Sequence, residues 1–391
     1  VLGLAVLTTA KAAGELDWPV QVVPVVFFAM VASLVFPIRA AAALAVLCAA
    51  LSAVALGAGF GSAPILGAGA LAGALAGAKP RHRLDILKAA LIAGLISAAA
   101  TGGWRLLEEG EGSLDVLRGA GWGLGAALAQ GLVLAGALPV LEAAFGTTTS
   151  ISLLELCDQN HPLLKALFLN APGSHQHSMI VGILSESAAE AIDADPLLSR
   201  AGSYYHDIGK IARPEYFVEN AQPGQNRHDR LGNSMSAMVV IAHVRDGVDL
   251  AREYRLPRAV IDVIGQHHGT TMVEYFYRRA MENGENPVES VYRYAGPKPQ
   301  TKEAAIVLLA DTVEAASRAL GEPSVARLKA MVHDLANRRL LDGQFDESGL
   351  TLRELAAVEA SFTRILISMF HARVAYPQAP DKKRGNGAAK S

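Results

Sequence analysis

The first 145 residues constrain the fold more than anything else in the chain. They run as a succession of apolar stretches with few charges, at about 18–37, 40–59, 62–79, 86–103 and 117–142, with residues 1–10 as the remnant or short end of another. A helix that crosses a bilayer needs roughly 20 mostly apolar residues. The succession therefore predicts a polytopic transmembrane helical region over 1–145, of about six spans joined by brief connections. Ala and Gly are abundant in it, which suits close helix approach in lipid. The chain begins at Val1 inside an apolar run, which reads as a fragment truncated at its N-terminus.

Composition agrees. The 391 residues are 51% hydrophobic and 18% charged, with mean hydropathy +0.27, too apolar for an ordinary soluble protein. Formal net charge is −2, so nothing favours a nucleic-acid polymer as partner. Cys48 and Cys157 lie far apart and form neither a zinc nor a disulfide pattern.

Basic loops set orientation. Placing Arg39 and the Lys79-Pro80-Arg81-His82-Arg83 loop in the cytoplasm puts the connection with Glu108, Glu109, Glu111 and Asp115 outside. The last span then delivers residues 146 onward to the cytoplasm. The spans contain no ionisable relay, which counts against a transporter.

From 146 the composition becomes that of a soluble domain. Little alternates with period two, so the whole chain is expected to be all-α. Helices are expected at Ser174–Ile192, from Asp195-Pro196 to His206-Asp207, at Ser234–Glu253, from Pro257 to His267-His268, and near 303–320, 323–341 and 351–374. Pro172-Gly173 reads as a break, and 212–232 and 281–302 as loops. Thr351 and Glu354 have capping-box spacing. The expected division is a membrane region 1–145, a helical catalytic domain 146–376 and a disordered tail 377–391 whose basic residues are solvated.

Seven side chains stand at helix ends or on otherwise apolar helices: His177, His206, Asp207, His243, His267, His268 and Asp311. Five imidazoles and two carboxylates form a mixed N/O set that suits Fe or Mn, leaves zinc or nickel open and disfavours calcium. One ion needs only about four to six ligands, so seven with a bridging Asp207 point to two divalent metal ions. Such a pair can turn water into hydroxide near neutral pH and stabilise an in-line phosphoryl displacement. The predicted reaction is hydrolysis of a phosphate ester, and no Gly-x-Ser-x-Gly elbow or Walker A loop competes.

The order His177…His206-Asp207…Asp311 resembles the HD-domain metal phosphohydrolases. His177-Ser178, Tyr204-Tyr205-His206-Asp207-Ile208-Gly209-Lys210 and Gln266-His267-His268-Gly269-Thr270-Thr271 resemble more closely the membrane-bound seven-helix-receptor HD family, the PgpH-type cyclic di-AMP phosphodiesterases. The resemblance spans nearly the whole chain. It implies that His177, His206, Asp207 and Asp311 hold one metal, and that Asp207, His243, His267 and His268 hold the other. It implies Asp207 and Lys210 as catalytic residues, and Lys210 with Arg318 as phosphate contacts, although an ion pair explains Arg318 equally well. The implied activity linearises cyclic di-AMP to pApA through a two-metal-activated hydroxide, in a multi-pass plasma-membrane protein with its HD domain in the cytoplasm. The Gly-Tyr-Pro signature of the related cyclic di-GMP enzymes is missing after His267-His268. Hydrolysis of another nucleotide, or a silent nucleotide-binding receptor, are the alternatives. HD helices often pair, which leaves a homodimer open, but no stripe in the sequence specifies an interface. Tyr204, Tyr205, Tyr275 and Tyr277 suit core packing better than base stacking. His175, His228, His82, His161, His333 and His371 fall outside the pattern.

Overall fold

The computed structural model describes residues 1–57, 61–78, 80–107, 112–221, 226–321 and 323–371. Lys79, Glu108, Glu109, Glu111 and the tail 377–391 lie outside the described residues. All regular elements described are helical, and the one strand-like feature is an isolated bridge between Met272 and Arg293. The all-α expectation is met. The chain divides into two compact units, one holding Val1–His161 with the segment Arg255–Ala259, the other the rest from Pro162.

The first unit contains α1 (Leu2–Glu15), α2 (Val25–Val35), α3 (Ile38–Leu56), α4 (Ser62–Ala76), α5 (Arg83–Leu107), α6 (Ser113–Phe145) and α7 (Ser150–Leu156). Three of them, α3, α5 and α6, are long and apolar enough to cross a membrane. The expected span at 18–37 is interrupted. Proline lacks an N–H and fixes φ, and Pro19, Pro24 and Pro37 confine the α-helix to Val25–Val35 behind a 3₁₀ turn at Val20–Val22. The break frees backbone groups among apolar helices, where no water can satisfy them. Gln130 of α6 does so instead. Its Nε2 donates to Gln21 O (3.3 Å) and Val23 O (3.4 Å), and its Oε1 accepts from Phe27 N (3.0 Å). The core is built from small residues such as Ala45, Ala49, Ala90 and Ala93, all almost fully buried.

The second unit contains α8 (Pro162–Asn170), α9 (Pro172–Ala191), α10 (Pro196–Tyr205), α11 (Asn233–Glu253), α12 (Arg258–Gln266), α13 (Glu274–Glu282), α14 (Lys302–Arg318), α15 (Val325–Leu341) and α16 (Leu352–His371). Pro172 does not break the chain; it occupies the first turn of α9, where its missing N–H has no helical partner to lose. Asp195 Oδ1 caps α10 by accepting from Leu197 N and Leu198 N at 2.9 and 3.0 Å. Thr351 and Glu354 form the expected reciprocal capping box at α16. The expected loop at 212–232 contains 3₁₀ turns at Pro214–Tyr216 and Arg227–Arg230, while 222–225 lie outside the described residues.

At the centre runs α14. Its segment Ala304–Ala310 is buried on every face, which a helix tolerates only when other helices surround it. Val181 and Leu184 of α9, Val332 of α15 and Phe362 of α16 belong to the same core. That burial fixes the register of α14 and so the position of Asp311, the first charged residue after the apolar run.

Candidate metal centre

The structure brings all seven predicted site residues together. His177 comes from α9, His206 and Asp207 from the end of α10, His243 from α11, His267 and His268 from just beyond α12, and Asp311 from α14. His206 and His267 are fully buried, and His177, Asp207 and His243 nearly so.

Asp207 stands between two groups of imidazoles. Its Oδ2 faces His206 Nε2 at 3.2 Å and His177 Nε2 at 3.6 Å; its Oδ1 faces His243 Nε2 at 3.4 Å and His267 Nε2 at 3.9 Å. Asp311 presents Oδ1 to His177 Nε2 at 2.9 Å and Oδ2 to His268 Nδ1 at 3.5 Å. Three ligand triplets result, each with donor atoms within 4.8 Å of one another: His177–His206–Asp311, His206–Asp207–His267 and His243–His267–His268.

The ring tautomers follow from backbone partners. A carbonyl only accepts, so a ring nitrogen against one must carry the proton. His206 Nδ1 lies 2.7 Å from Ser203 O, His243 Nδ1 2.5 Å from Val240 O, and His267 Nδ1 2.7 Å from Ile264 O. Each bond reaches back three residues, for His206 and His267 at the ends of α10 and α12 and for His243 within α11. All three Nε2 atoms are left as lone pairs. Yet His243 Nε2 and His267 Nε2 sit 3.2 Å apart. Two lone pairs at that distance repel unless a cation lies beside them. His206 Nε2 and Asp207 Oδ1 are also buried without a partner in hydrogen-bonding geometry, while Asp207 Oδ2 is met by the Lys210 ammonium. Orphaned acceptors of this kind cost free energy that a metal would recover. A ligating histidine that donates its other N–H to a carbonyl or carboxylate is the usual arrangement around a metal. The donor set fits divalent cations.

Ionisation divides the cluster: with no cation beside it His206 favours its charged form, whose proton a metal would displace, whereas His267 and His268 favour the neutral form. Burial opposes charge on His206, but the Asp207 carboxylate outweighs it and holds the ring up at about 10. Burial pushes His268 down to about 3 and, with charge on His268 and His206, holds His267 well below the usual imidazole range. Burial would raise the Asp207 carboxyl, but His206 and Lys210 overcome it and hold it well below the usual range. Carboxylates stay charged and His267 and His268 stay neutral, the forms in which these groups bind metal.

Lys210 lies on the 3₁₀ turn Ile208–Ala212, its Nζ 2.7 Å from both Asp207 Oδ2 and Glu219 Oε1. Arg318 does not reach the cluster directly: its Nε meets Glu314 Oε1 at 2.5 Å. Both line a cavity of about 410 Å³ that also touches His177, Asp311, Glu219 and Glu314. Tyr204 and Tyr205 are core residues, Tyr277 packs against Tyr292, and Tyr275 is exposed. His175 packs edge-on against Phe168, His228 bonds Tyr216 O and packs against Phe276, and His333 pairs with Glu359, all outside the cluster.

Three residues escaped the sequence reading. Glu314, 1% exposed, meets His177 Nδ1 at 2.5 Å, the one side-chain carboxylate that orients an imidazole of the cluster from behind. Tyr294 stacks on His268 with centroids 4.2 Å apart at 26°. Glu219 joins Lys210 to Ser174 Oγ at the start of α9. The spacing of Asp311 and Glu314, three apart on one helix face, was the available signal for Glu314.

Residues 175–316 match the family described as HD domain, and residues 1–149 match the family described as 7TM receptor with intracellular HD hydrolase. The chain is 42% identical over 260 residues to a cyclic-di-AMP phosphodiesterase PgpH of Bacillus subtilis, covering 66% of this chain and 37% of that one. It is 44% identical over 246 residues to the protein of that name from Listeria monocytogenes, covering 63% and 34%. The chain thus spans little more than a third of the length of these curated relatives. A crystal structure of the L. monocytogenes PgpH HD domain in complex with cyclic-di-AMP superimposes with a TM-score of 0.53 at 44% identity, covering 55% of this chain and all of that one.

Proposed function

The chain belongs to the family of 7TM receptors with an intracellular HD hydrolase, and on that premise we propose that it is a membrane-anchored, metal-dependent phosphodiesterase that opens cyclic di-AMP to pApA. The observation that carries this reading is the division of Asp207, one oxygen toward His177 and His206 and the other toward His243 and His267. One carboxylate between two sets of imidazoles is the arrangement that would hold two divalent cations, Fe or Mn by the mixed N/O donors. Bound there, such a pair supplies Lewis-acid stabilisation of the phosphoryl oxygens and a water acidic enough to attack near neutral pH.

The protein's own groups have separate roles. His177, His206 and Asp311 would hold one cation and His243, His267 and His268 the other, with Asp207 available to both. Lys210 offsets the charge of Asp207 and offers its ammonium to the phosphate at the cavity wall. Arg318 is held by Glu314 at the same wall, within reach of a phosphate in the cavity. Burial of the cluster excludes bulk water, which strengthens each of these electrostatic contacts. The HD unit is assigned to the cytoplasmic side of the plasma membrane, by the basic loops and by the family's description. The adenine preference rests on the relatives alone, which are named for cyclic di-AMP.

The test uses the full chain purified in detergent with Mn²⁺ or anaerobic Fe²⁺. Cyclic di-AMP, cyclic di-GMP and cyclic GMP-AMP are offered in equal amounts, and products are identified by mass. Selective formation of pApA is expected. Turnover of a different dinucleotide would keep the hydrolase and discard the substrate; tight binding without turnover in either metal would leave a silent receptor.

Glu314 is a positioning residue in this reading. Its carboxylate fixes the His177 tautomer with Nε2 toward the cluster. Partners of this kind are worth about 10–100-fold in metal affinity. Glu314→Gln keeps the volume and is expected to weaken one of two metal-binding steps by about tenfold in equilibrium dialysis, leaving the other within about twofold. Equal weakening of both steps, or of neither, would remove the assigned role.

A further inference from the structure

We propose that the membrane unit carries a binding site for a small zwitterion, an ammonium borne beside an anionic group, in the cavity lined by Trp18, Trp104 and Trp122. The chain has three tryptophans, and all of them line this one cavity of about 480 Å³. Tryptophans that merely anchor a bundle distribute to both membrane interfaces. Here all three line one cavity beside the end of α5 and the first part of α6. The volume lies within the range of small-molecule sites, about 300–1,000 Å³.

The lining has the chemistry of a recognition site. Gln21 and Thr101 line it while almost fully buried, at 7% and 1% exposure, and Gln21 Nε2 donates to Thr101 Oγ1 at 3.0 Å. Polar side chains at that depth among apolar helices are expensive and mark functional positions. The cavity also touches Asp17–Gln21, the non-α segment that leads into the turn Val20–Val22, and interrupted helices expose backbone and line binding sites in membrane proteins. Trp18 and Trp122 are about half exposed, at 52% and 49%, so their indoles are not consumed by core packing. Trp104 lines the cavity only because position 61 is glycine, where a Cβ would lie 2.0 Å from the indole Nε1.

Charge decides the ligand class. Asp17 and Asp115 bring carboxylates, Arg105 and Arg118 guanidinium groups. Arg118 is 70% exposed and approaches Asp115 only to 3.8 Å, a contact weak enough to yield to a ligand anion. Asp17 holds φ at 52°, in the left-handed region that few residues other than glycine adopt, which sets its carboxylate in the turn directly before Trp18. Indole faces and carboxylates attract an ammonium, and a guanidinium fork takes phosphate or carboxylate in two parallel bonds. A pure anion would meet Asp17 and Asp115, and a pure cation Arg105 and Arg118. A zwitterion satisfies both. Its source is a phospholipid headgroup or a soluble molecule of the same chemistry.

Because the cavity is lined by every tryptophan, tryptophan emission of the full chain, excited at the red edge where tyrosine does not absorb, reports on it alone. The protein is reconstituted in nanodiscs of phosphatidylglycerol and, separately, of phosphatidylethanolamine. Emission is titrated with phosphocholine and phosphoethanolamine, against choline alone and phosphate alone. A saturable shift is expected with the zwitterions, with at least about tenfold weaker response to either half alone, the size of one charge-assisted contact. Arg118→Gln and Asp17→Asn, both at exposed positions, should each weaken binding by about tenfold. A response in phosphatidylglycerol that is already saturated in phosphatidylethanolamine supports the site with lipid as source; equal responses support a soluble ligand. No saturable shift up to about 10 mM in either lipid, or unchanged binding in both variants, overturns the site.

Discussion

Asp207→Asn is expected to lower turnover of cyclic di-AMP by about 10³-fold or more while the helical content stays unchanged. Asp207 faces two imidazoles on each side of the cluster, through a different oxygen on each, whereas Asp311 meets His177 on one side and only His268 on the other. Asparagine has nearly the same shape but one acceptor oxygen and no charge. It can serve one side at most. A loss of about 10³ corresponds to roughly 4 kcal/mol of transition-state stabilisation, reasonable for a group whose removal also frees the Lys210 ammonium from one of its two carboxylates. Metal content should fall from two ions per chain to one or none, read by elemental analysis of the purified protein. Circular dichroism should not change, because no helix of the second unit is capped or packed by this carboxylate. A variant with two metals and near-normal turnover would eliminate a bridging carboxylate.

The cluster was legible because its chemistry is carried by rare residues in unusual places. A His-Asp pair at the end of an apolar helix, and an aspartate at the end of the run Ala304–Ala310, have few structural uses. Burial of that run explains why the aspartate signal was strong: a helix covered on every side leaves no solvent for a stray charge. Glu314 was illegible for the opposite reason. With Arg318 four residues on, it reads as an ordinary surface pair. Only the fold reveals that its other oxygen faces His177. Tyr294 and Glu219 lie on segments without periodicity, so no pattern assigns them a neighbour. The short helix α13, at Glu274–Glu282, was not among the expected helices, and its boundaries carry no side-chain cap that would have announced it.

The membrane half shows the limits of hydropathy. Counting apolar residues detects the spans α3, α5 and α6, which need nothing else. It cannot weigh prolines against lipid, and the stretch at 18–37 is split by two of them. Nor does hydropathy reveal that Gln130, a polar residue inside an apolar run, restores the bonds that the split releases.

Gly209→Ala is expected to damage the second unit and its cluster out of proportion to the one methyl group it adds. A Cβ at position 209 would lie 1.9 Å from His243 O and 2.5 Å from Gly247 N. Both are backbone atoms of α11, so no side-chain rotation relieves the overlap. The 3₁₀ turn Ile208–Ala212 and α11 must separate, and that turn carries Lys210 directly after Asp207 while α11 carries His243. Overpacking of this kind costs about 1–3 kcal/mol, and more where backbone must move. Misplacement of a reacting group by about 1 Å can cost 10²-fold in rate. Turnover should therefore drop by about 10²-fold even at saturating metal, and the thermal transition of the second unit should fall. Gly247→Ala on the facing helix supplies the control. Its Cβ would meet Ile264 Cγ2 at 3.1 Å and Gly209 N at 3.2 Å, overlaps that a shift of a few tenths of an ångström relieves. It should retain metal binding and most activity. If the two variants behave alike, the close approach of the turn to α11 is not what sets the distance from Asp207 to His243. If only Gly209→Ala fails, backbone contact rather than side-chain packing fixes the geometry of the cluster.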